Sequence, residues 1–190
     1  MFVTIAVIVA IIAALIAALL LHAARKPDAF RVERTTSVAA PPEAIYPFIE
    51  DFRKWVSWSP FETIDPALKR AYSGAERGQG AVYDFEGNNR AGAGRLTITE
   101  ASASRKLVLS LDFARPCQAR NIAEFTLEPT AGSTRLTWAM HGRMSFKAKV
   151  MTTFCNMDRM VGGYFEAGLA KLKALGEAEA ATAADRVKAA

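Results

Sequence analysis

Residues 106–141 read KLVLSLDFARPCQARNIAEFTLEPTAGSTRLTWAMH. Apolar side chains take alternate positions in three runs: Leu107, Leu109, Leu111 and Phe113; then Phe125 and Leu127; then Leu136, Trp138 and Met140. Ser110, Asp112, Glu124, Arg135 and Thr137 lie between them. Successive side chains of a strand point to opposite faces, so this alternation specifies half-buried strands, apolar on one side and polar on the other. Thr130-Ala131-Gly132 has the composition of a hairpin turn. The period of two extends back to Ala67, with Gly87-Asn88-Asn89 as another turn. The expected strands are 68–73, 80–86, 94–101, 106–113, 119–128 and 133–141, an antiparallel meander. Tyr83, Phe85, Leu96 and Ile98 join its apolar face, which something must cover.

The cover stands at the C-terminal end. Val150, Phe154, Met157, Val161, Phe165, Leu169, Leu172 and Leu175 recur every three or four residues, as in one long amphipathic helix over 150–175. Gly162, Gly163 and Gly168 each cost that helix about 1 kcal/mol relative to alanine, which predicts close packing or a bend. After Gly176 the chain is Ala-rich with scattered charge, so 177–190 is expected to be frayed helix or disorder.

On the N-terminal side, residues 31–38 alternate as a strand and Ala39-Ala40-Pro41-Pro42 stops them. Pro42 and Glu43 suit a helix start, and Ile45, Phe48, Ile49 and Phe52 have helical spacing. Pro47 is expected to kink or split this helix. A second short helix through Trp55 ends before Ser59-Pro60.

The chain has 190 residues, enough for one ordinary domain and an appendage. Residues 2–21 are apolar but for Thr4 and carry no charge, and at ~1.5 Å per residue they span roughly 30 Å, a bilayer's hydrocarbon thickness. No Lys or Arg precedes the run and its exit reads Leu21-His22-Ala23-Ala24-Arg25, so it reads as an uncleaved anchor rather than a secretory signal. Arg25, Lys26, Arg31 and Arg34 all follow it, and that bias predicts a single-pass cell-membrane protein with its soluble domain in the cytoplasm, an exported domain being the alternative. The net charge is +5, with Arg25 and Lys26 beside the anchor, and leaves no footprint for nucleic acid. Cys117 and Cys155 have neither CxxC spacing nor histidine partners, which argues against structural zinc and a disulfide-stapled fold. Boundaries are thus expected as 1–26, anchor and basic flank; 27–176, the domain; and 177–190, the tail.

The order strand, two short helices, six strands and long helix resembles the START-like, or SRPBCC, superfamily. Local features are similar to its polyketide cyclase/dehydrase branch: Ala40-Pro41-Pro42-Glu43-Ala44-Ile45, Asp51 followed by Trp55-Val56-Ser57-Trp58-Ser59-Pro60, and Gly78-Gln79-Gly80 before a strand. Gly94 opening the next strand and the closing Phe165-Glu166-Ala167-Gly168-Leu169-Ala170-Lys171-Leu172-Lys173 also fit. The resemblance covers roughly residues 30–176. It implies an α+β helix-grip fold, a seven-stranded antiparallel sheet wrapped around the long C-terminal helix, here with one N-terminal transmembrane helix. It also implies a cavity between sheet and helix for a lipid, sterol, polyketide or other apolar molecule. Only some members catalyse a reaction, and the anchor departs from the minimal family pattern.

From parity and spacing, the expected cavity wall is Tyr83, Phe85, Leu96, Ile98, Leu109, Leu111, Phe113, Phe125, Trp138 and Met140, faced by Phe154, Met157, Val161 and Phe165. Parity carried past Phe113 turns Arg115 and Cys117 inward, and counting back from Phe125 does the same for Asn121. There Arg115 would hold a carboxylate or phosphate and Asn121 a carbonyl or hydroxyl; a bulged strand end would leave them at the rim. Trp55, Trp58 and Phe61 read as a lid at the cavity mouth or a membrane-surface contact. His141 falls on the polar parity and Asp51 at a helix end, where structural roles suffice. Gly78-x-Gly80 and Gly92-x-Gly94 are turns, since neither has the form of a phosphate-binding loop. No nucleophile, base and orienter occur together, so the expectation is a binder of a hydrophobic small molecule or lipid, without catalytic residues, cofactor or metal. A cyclase or dehydratase using Arg115, Asp51 or His141, and an interaction module without ligand, remain the alternatives.

Overall fold

A computed structural model describes residues 2–116, 118–154 and 156–188. Cys117, expected on the inward parity, and Cys155 lie outside the described residues. The elements run α1 (Phe2–Ala24), β1 (Ala29–Val38), α2 (Pro42–Glu50), two 3₁₀ turns (Phe52–Ser57 and Pro60–Thr63), β2 (Lys69–Gly74), β3 (Ala81–Glu86), β4 (Ala93–Ser102), β5 (Lys106–Arg115), β6 (Ala119–Thr130), β7 (Ser133–Arg143), α3 (Phe146–Phe154) and α4 (Met157–Lys188). The seven strands form one antiparallel sheet in the order β1-β7-β6-β5-β4-β3-β2. The meander is local; β1 joins it from far away by pairing along β7. This is the α+β helix-grip architecture that the sequence resembles.

Leu96, Ile98, Leu107, Leu109, Phe125, Leu127, Leu136 and Trp138 are all buried on the concave face. α4 packs chiefly along β1 and α2, near one edge of the sheet, while the 3₁₀ turns lie against β3 and α4. Ties between β1 and α4 fix the helix: Arg34 of β1 donates to Glu166 at 2.6 Å and to Asp158 at 3.0 Å, and Lys173 Nζ donates to the Ser37 carbonyl at 2.8 Å.

Two local expectations are corrected, and of the frayed helix or disorder expected after Gly176 the described residues are helical. Of the kink or split expected at Pro47, the split does not occur: α2 runs unbroken through it, with Ile45 and Ile49, both fully buried, on either side. The helix expected over 150–175 is two helices: the Asn156 side chain accepts from Arg159 N at 3.0 Å, a helix N-cap that starts α4 afresh. Past Gly176 the chain stays helical to Lys188, as the helix propensity of alanine favours, with Ala180 half-buried against the core.

α1 is exposed along its length except at half-buried Leu19 and buried Ala23. It is the one helix among the described residues long and apolar enough to cross a membrane, with a mean hydropathy of 3.1 over its most apolar stretch.

Candidate ligand cavity

A cavity of about 120 Å³ opens between the concave face and the second 3₁₀ turn. The sheet contributes Tyr83 and Phe85 from β3, Leu96 from β4, Leu109, Leu111 and Phe113 from β5, Ala123 from β6, and Trp138 and Met140 from β7. The roof is Trp55, Ser59, Phe61, Glu62 and Ile64; α4 adds only Phe165. The void therefore lies mainly under the 3₁₀ segment, because α4 covers the β1 side of the sheet and leaves the β3–β5 side to the turns.

Of the wall expected from alternation, Tyr83, Phe85, Leu96, Leu109, Leu111, Phe113, Trp138, Met140 and Phe165 line this space. Ile98 and Phe125 are buried beneath it in solid core. Phe154 points away and is 74% exposed, while Met157 and Val161 lie at the flank of α4 outside the lining; the new helix start at Asn156 resets the rotation that one continuous helix would have had.

The strand ends also depart from simple parity. Arg115 is exposed and donates to Glu86 at 3.1 Å. The β4–β5 register shifts between Ala93 and Gly94, so Gly94 pairs with Phe113 and Ala93 with Arg115, leaving Ala114 as an extra residue that breaks the count. Asn121 is turned inward and buried, but next to Gly142 and Phe30, outside the cavity. Trp58 is fully buried and Trp55 nearly so, so only Phe61, 37% exposed, stands at the mouth. Their indole N–H groups donate to backbone carbonyls at the end of α2, Trp55 to Ile49 at 2.9 Å and Trp58 to Phe48 at 2.8 Å. With those donors satisfied, both rings enter the core at little polar cost.

Alternation singles out Tyr83 and Trp138 among the residues that give the cavity its polar groups, but not Glu62 or Ser59. Glu62, 6% exposed, accepts from Tyr83 Oη at 2.7 Å and from Arg70 Nε at 2.6 Å. Burial first, and then the hydrogen bond to Glu62, hold the Tyr83 hydroxyl far above the ordinary tyrosine value of 10.0, so it stays protonated at neutral pH. Ser59 Oγ and Trp138 Nε1 are buried with no hydrogen-bond partner among the described residues. Both residues line the same cavity as Glu62. Buried polar atoms without partners are uncommon in native interiors, because each forfeits its hydration. The available signal was Arg70, on the same parity as Leu68 and Tyr72: a cation on an apolar face calls for a buried acid.

The residues considered for catalysis stand elsewhere. Asp51 caps the first 3₁₀ turn, accepting from Arg53 N at 2.9 Å. His141 Nε2 lies on the outer face, 3.7 Å from Glu124 Oε1 on the neighbouring strand. With Arg115 at the rim, none of the three lines the cavity. Gly78 and Gly80 adopt positive φ in the loop before β3, as turn residues do.

Residues 29–177 match the family described as polyketide cyclase / dehydrase and lipid transport. The chain belongs to this family. Solved structures show the fold again. Protein CV1439 from Chromobacterium violaceum aligns over 80% of this chain and 99% of its own, at 17% identity and a TM-score of 0.54. MLL2253 from Mesorhizobium loti gives 77% and 96% coverage, 17% identity and a TM-score of 0.55. SA2116 from Staphylococcus aureus, a protein of unknown function, gives 79% and 94% coverage, 14% identity and a TM-score of 0.58. No curated protein matches the chain. The matched region begins after α1, so the apolar helix is an addition to the family domain.

Proposed function

We propose that this protein is a single-pass membrane protein whose family domain binds a small, neutral, mainly apolar molecule carrying one oxygen function. The observation that carries this reading is the apolar cavity lined by Ser59 and Trp138, whose buried Oγ and Nε1 have no hydrogen-bond partner among the described residues. A void of about 120 Å³ is close in size to an engineered cavity of about 150 Å³ that takes up benzene. It suits a single ring or the end of a chain. The indole N–H is a donor only, so it asks for a ligand oxygen, while the serine hydroxyl can give or accept. Neutrality follows from charge: the carboxylate in the wall, Glu62, is already matched by Arg70, and a ligand carboxylate would meet it unpaired.

The anchor supports a source for such a molecule. Register places Phe85, Phe113 and Met140 toward the same end of the sheet as Ala29 and Arg143, where β1 leaves α1 and β7 enters α3. The cavity thus lies toward the end of the domain nearest the bilayer, and the family description itself includes lipid transport. Lys and Arg bias after α1 favours a cytoplasmic domain.

The test uses residues 27–190 with three ring compounds of one size: toluene, phenol and benzoate. Toluene should bind, phenol about tenfold more tightly through its hydroxyl, and benzoate should not bind. Ala123→Leu, which adds volume where Ala123 lines the void, should abolish binding without loss of stability. If no ring compound binds and Ala123→Leu destabilises the domain as an overpacked core would, the ligand reading fails. Mass spectrometry of solvent extracts from the full-length protein then identifies the natural ligand.

A further inference from the structure

α3 is built inside out for water. At roughly 100° per residue, Phe146, Val150, Met151 and Phe154 share one side of the helix, with Lys147 among them, and Lys149 and Thr152 lie on the other; Thr153 stands at the boundary beside Phe146. The apolar side faces outward, with Phe146 50%, Met151 61% and Phe154 74% exposed. The polar side faces in. Lys149, 7% exposed, pairs with Asp28. Thr152 Oγ1 accepts from Lys26 Nζ at 3.4 Å and, with the Thr153 hydroxyl, donates to the Lys149 carbonyl.

A surface helix in water does the reverse, since exposing Phe and Met and burying Lys both cost free energy there. The arrangement suits a helix whose outer solvent is hydrocarbon. α3 packs on α1, and its ties to Lys26 and Asp28 set that contact at the exit end of the apolar helix. Arg25, Arg143, Lys147 and Arg159, in α3 and the segments around it, are all exposed.

We infer that α3 lies in the headgroup–acyl boundary of the membrane that α1 crosses, its Phe146, Val150, Met151 and Phe154 in the acyl layer and the surrounding cations at anionic headgroups. This rests on the reading that α1 spans a bilayer. Lipid is the occupant rather than a second copy of the chain, because the face continues the exposed apolar surface of α1 and its cations would repel their own copies. Docked this way, α3 would fix the orientation of the domain and hold the end of β7, and with it the cavity, at the bilayer surface.

The test uses the full-length chain in vesicles of phosphatidylcholine and phosphatidylglycerol, with Cys117 and Cys155 replaced by alanine. An environment-sensitive fluorophore is placed at Met151→Cys or, as reference, at Lys171→Cys on the exposed side of α4. Nitroxide-labelled lipids should quench the Met151 position at least about twofold more than the Lys171 position. Equal quenching in protein that resists alkaline extraction overturns the placement of α3 and leaves the anchor intact; release by alkali overturns the anchor reading and this one with it. A blue-shifted but unquenched Met151 probe with concentration-dependent crosslinking identifies a second copy and also overturns it. Hydroxyl-radical footprinting of the unsubstituted chain needs no mutation. Phe146, Met151 and Phe154 should be protected in vesicles while Phe61 reacts, and equal reactivity counts against the inference.

Discussion

Gly162 of α4 leaves the space that the Arg34 guanidinium of β1 occupies: a Cβ at position 162 would stand 2.5 Å from Arg34 Cζ and 3.0 Å from Nε. From that space Arg34 reaches Asp158 and Glu166, so the missing side chain lets one arginine clamp the helix to the sheet edge. The other glycines of the same helix differ. Gly163 faces open space, and a Cβ on Gly168 would meet Trp138 Cζ3 at 2.8 Å and Pro60 Cδ at 3.1 Å.

Alanine substitutions at these three sites should therefore separate. Gly163→Ala should stabilise the domain by about 1 kcal/mol, the helix-propensity gain alone. Gly162→Ala should be near neutral, since that gain is offset when the partly exposed Arg34 pairs are displaced. Gly168→Ala should cost about 1–3 kcal/mol, because Trp138 is stacked on Phe165 with centroids 4.1 Å apart and cannot yield freely. Urea unfolding of the three variants measures the order, and a destabilising Gly163→Ala would contradict it.

Acid should loosen the same clamp. Hydrogen bonds from Arg34 hold the Asp158 carboxyl below its ordinary 3.8; those from Lys149 to Asp28 and from Arg120 to Asp112 do likewise. A carboxyl depressed in the folded state contributes stability that is complete above its unfolded value and lost as pH falls through its folded value. Melting temperature should thus drop below about pH 4. In Asp158→Asn the drop should be shallower, as thermal scans across the acid range would show.

Tyr83 and Glu62 make the opposite prediction at alkaline pH. The Tyr83 value is raised, so its contribution is complete below 10.0 and lost as pH rises through the folded value. Tyrosinate absorbance of the wild type and of Tyr83→Phe should coincide until the wild type unfolds. At neutral pH Tyr83→Phe should cost about 1.5–3 kcal/mol, the loss of a hydrogen bond to a buried carboxylate.

His141→Gln should leave stability within about 0.5 kcal/mol of wild type and ring-compound binding unchanged, since the imidazole lies on the outer face beside Glu124. A marked loss of binding would mean that the outer face communicates with the cavity.

Alternation over 106–141 was enough to assign the strands and their faces, because a strand exposes its pattern with a period of two whatever it packs against. The same holds for the apolar run of α1 and the helical spacing from Val161 to Leu175, and a pattern so complete also carried the family resemblance. Nine of the aromatic and aliphatic residues expected on the sheet and Phe165 side do line the cavity, for their direction is fixed by local geometry. What parity could not supply was anything decided by an extra residue, a cap or a distant partner. The bulge at Ala114 turned Arg115 outward, and the Asn156 cap reset the face of Phe154. Glu62 became the polar wall of the cavity only because a 3₁₀ turn brought it against Arg70 and Tyr83, 8 and 21 residues away in the chain. A periodic pattern records which side of its own element a residue occupies; where two elements meet, and which polar groups are left facing each other there, is decided by packing that no single segment contains.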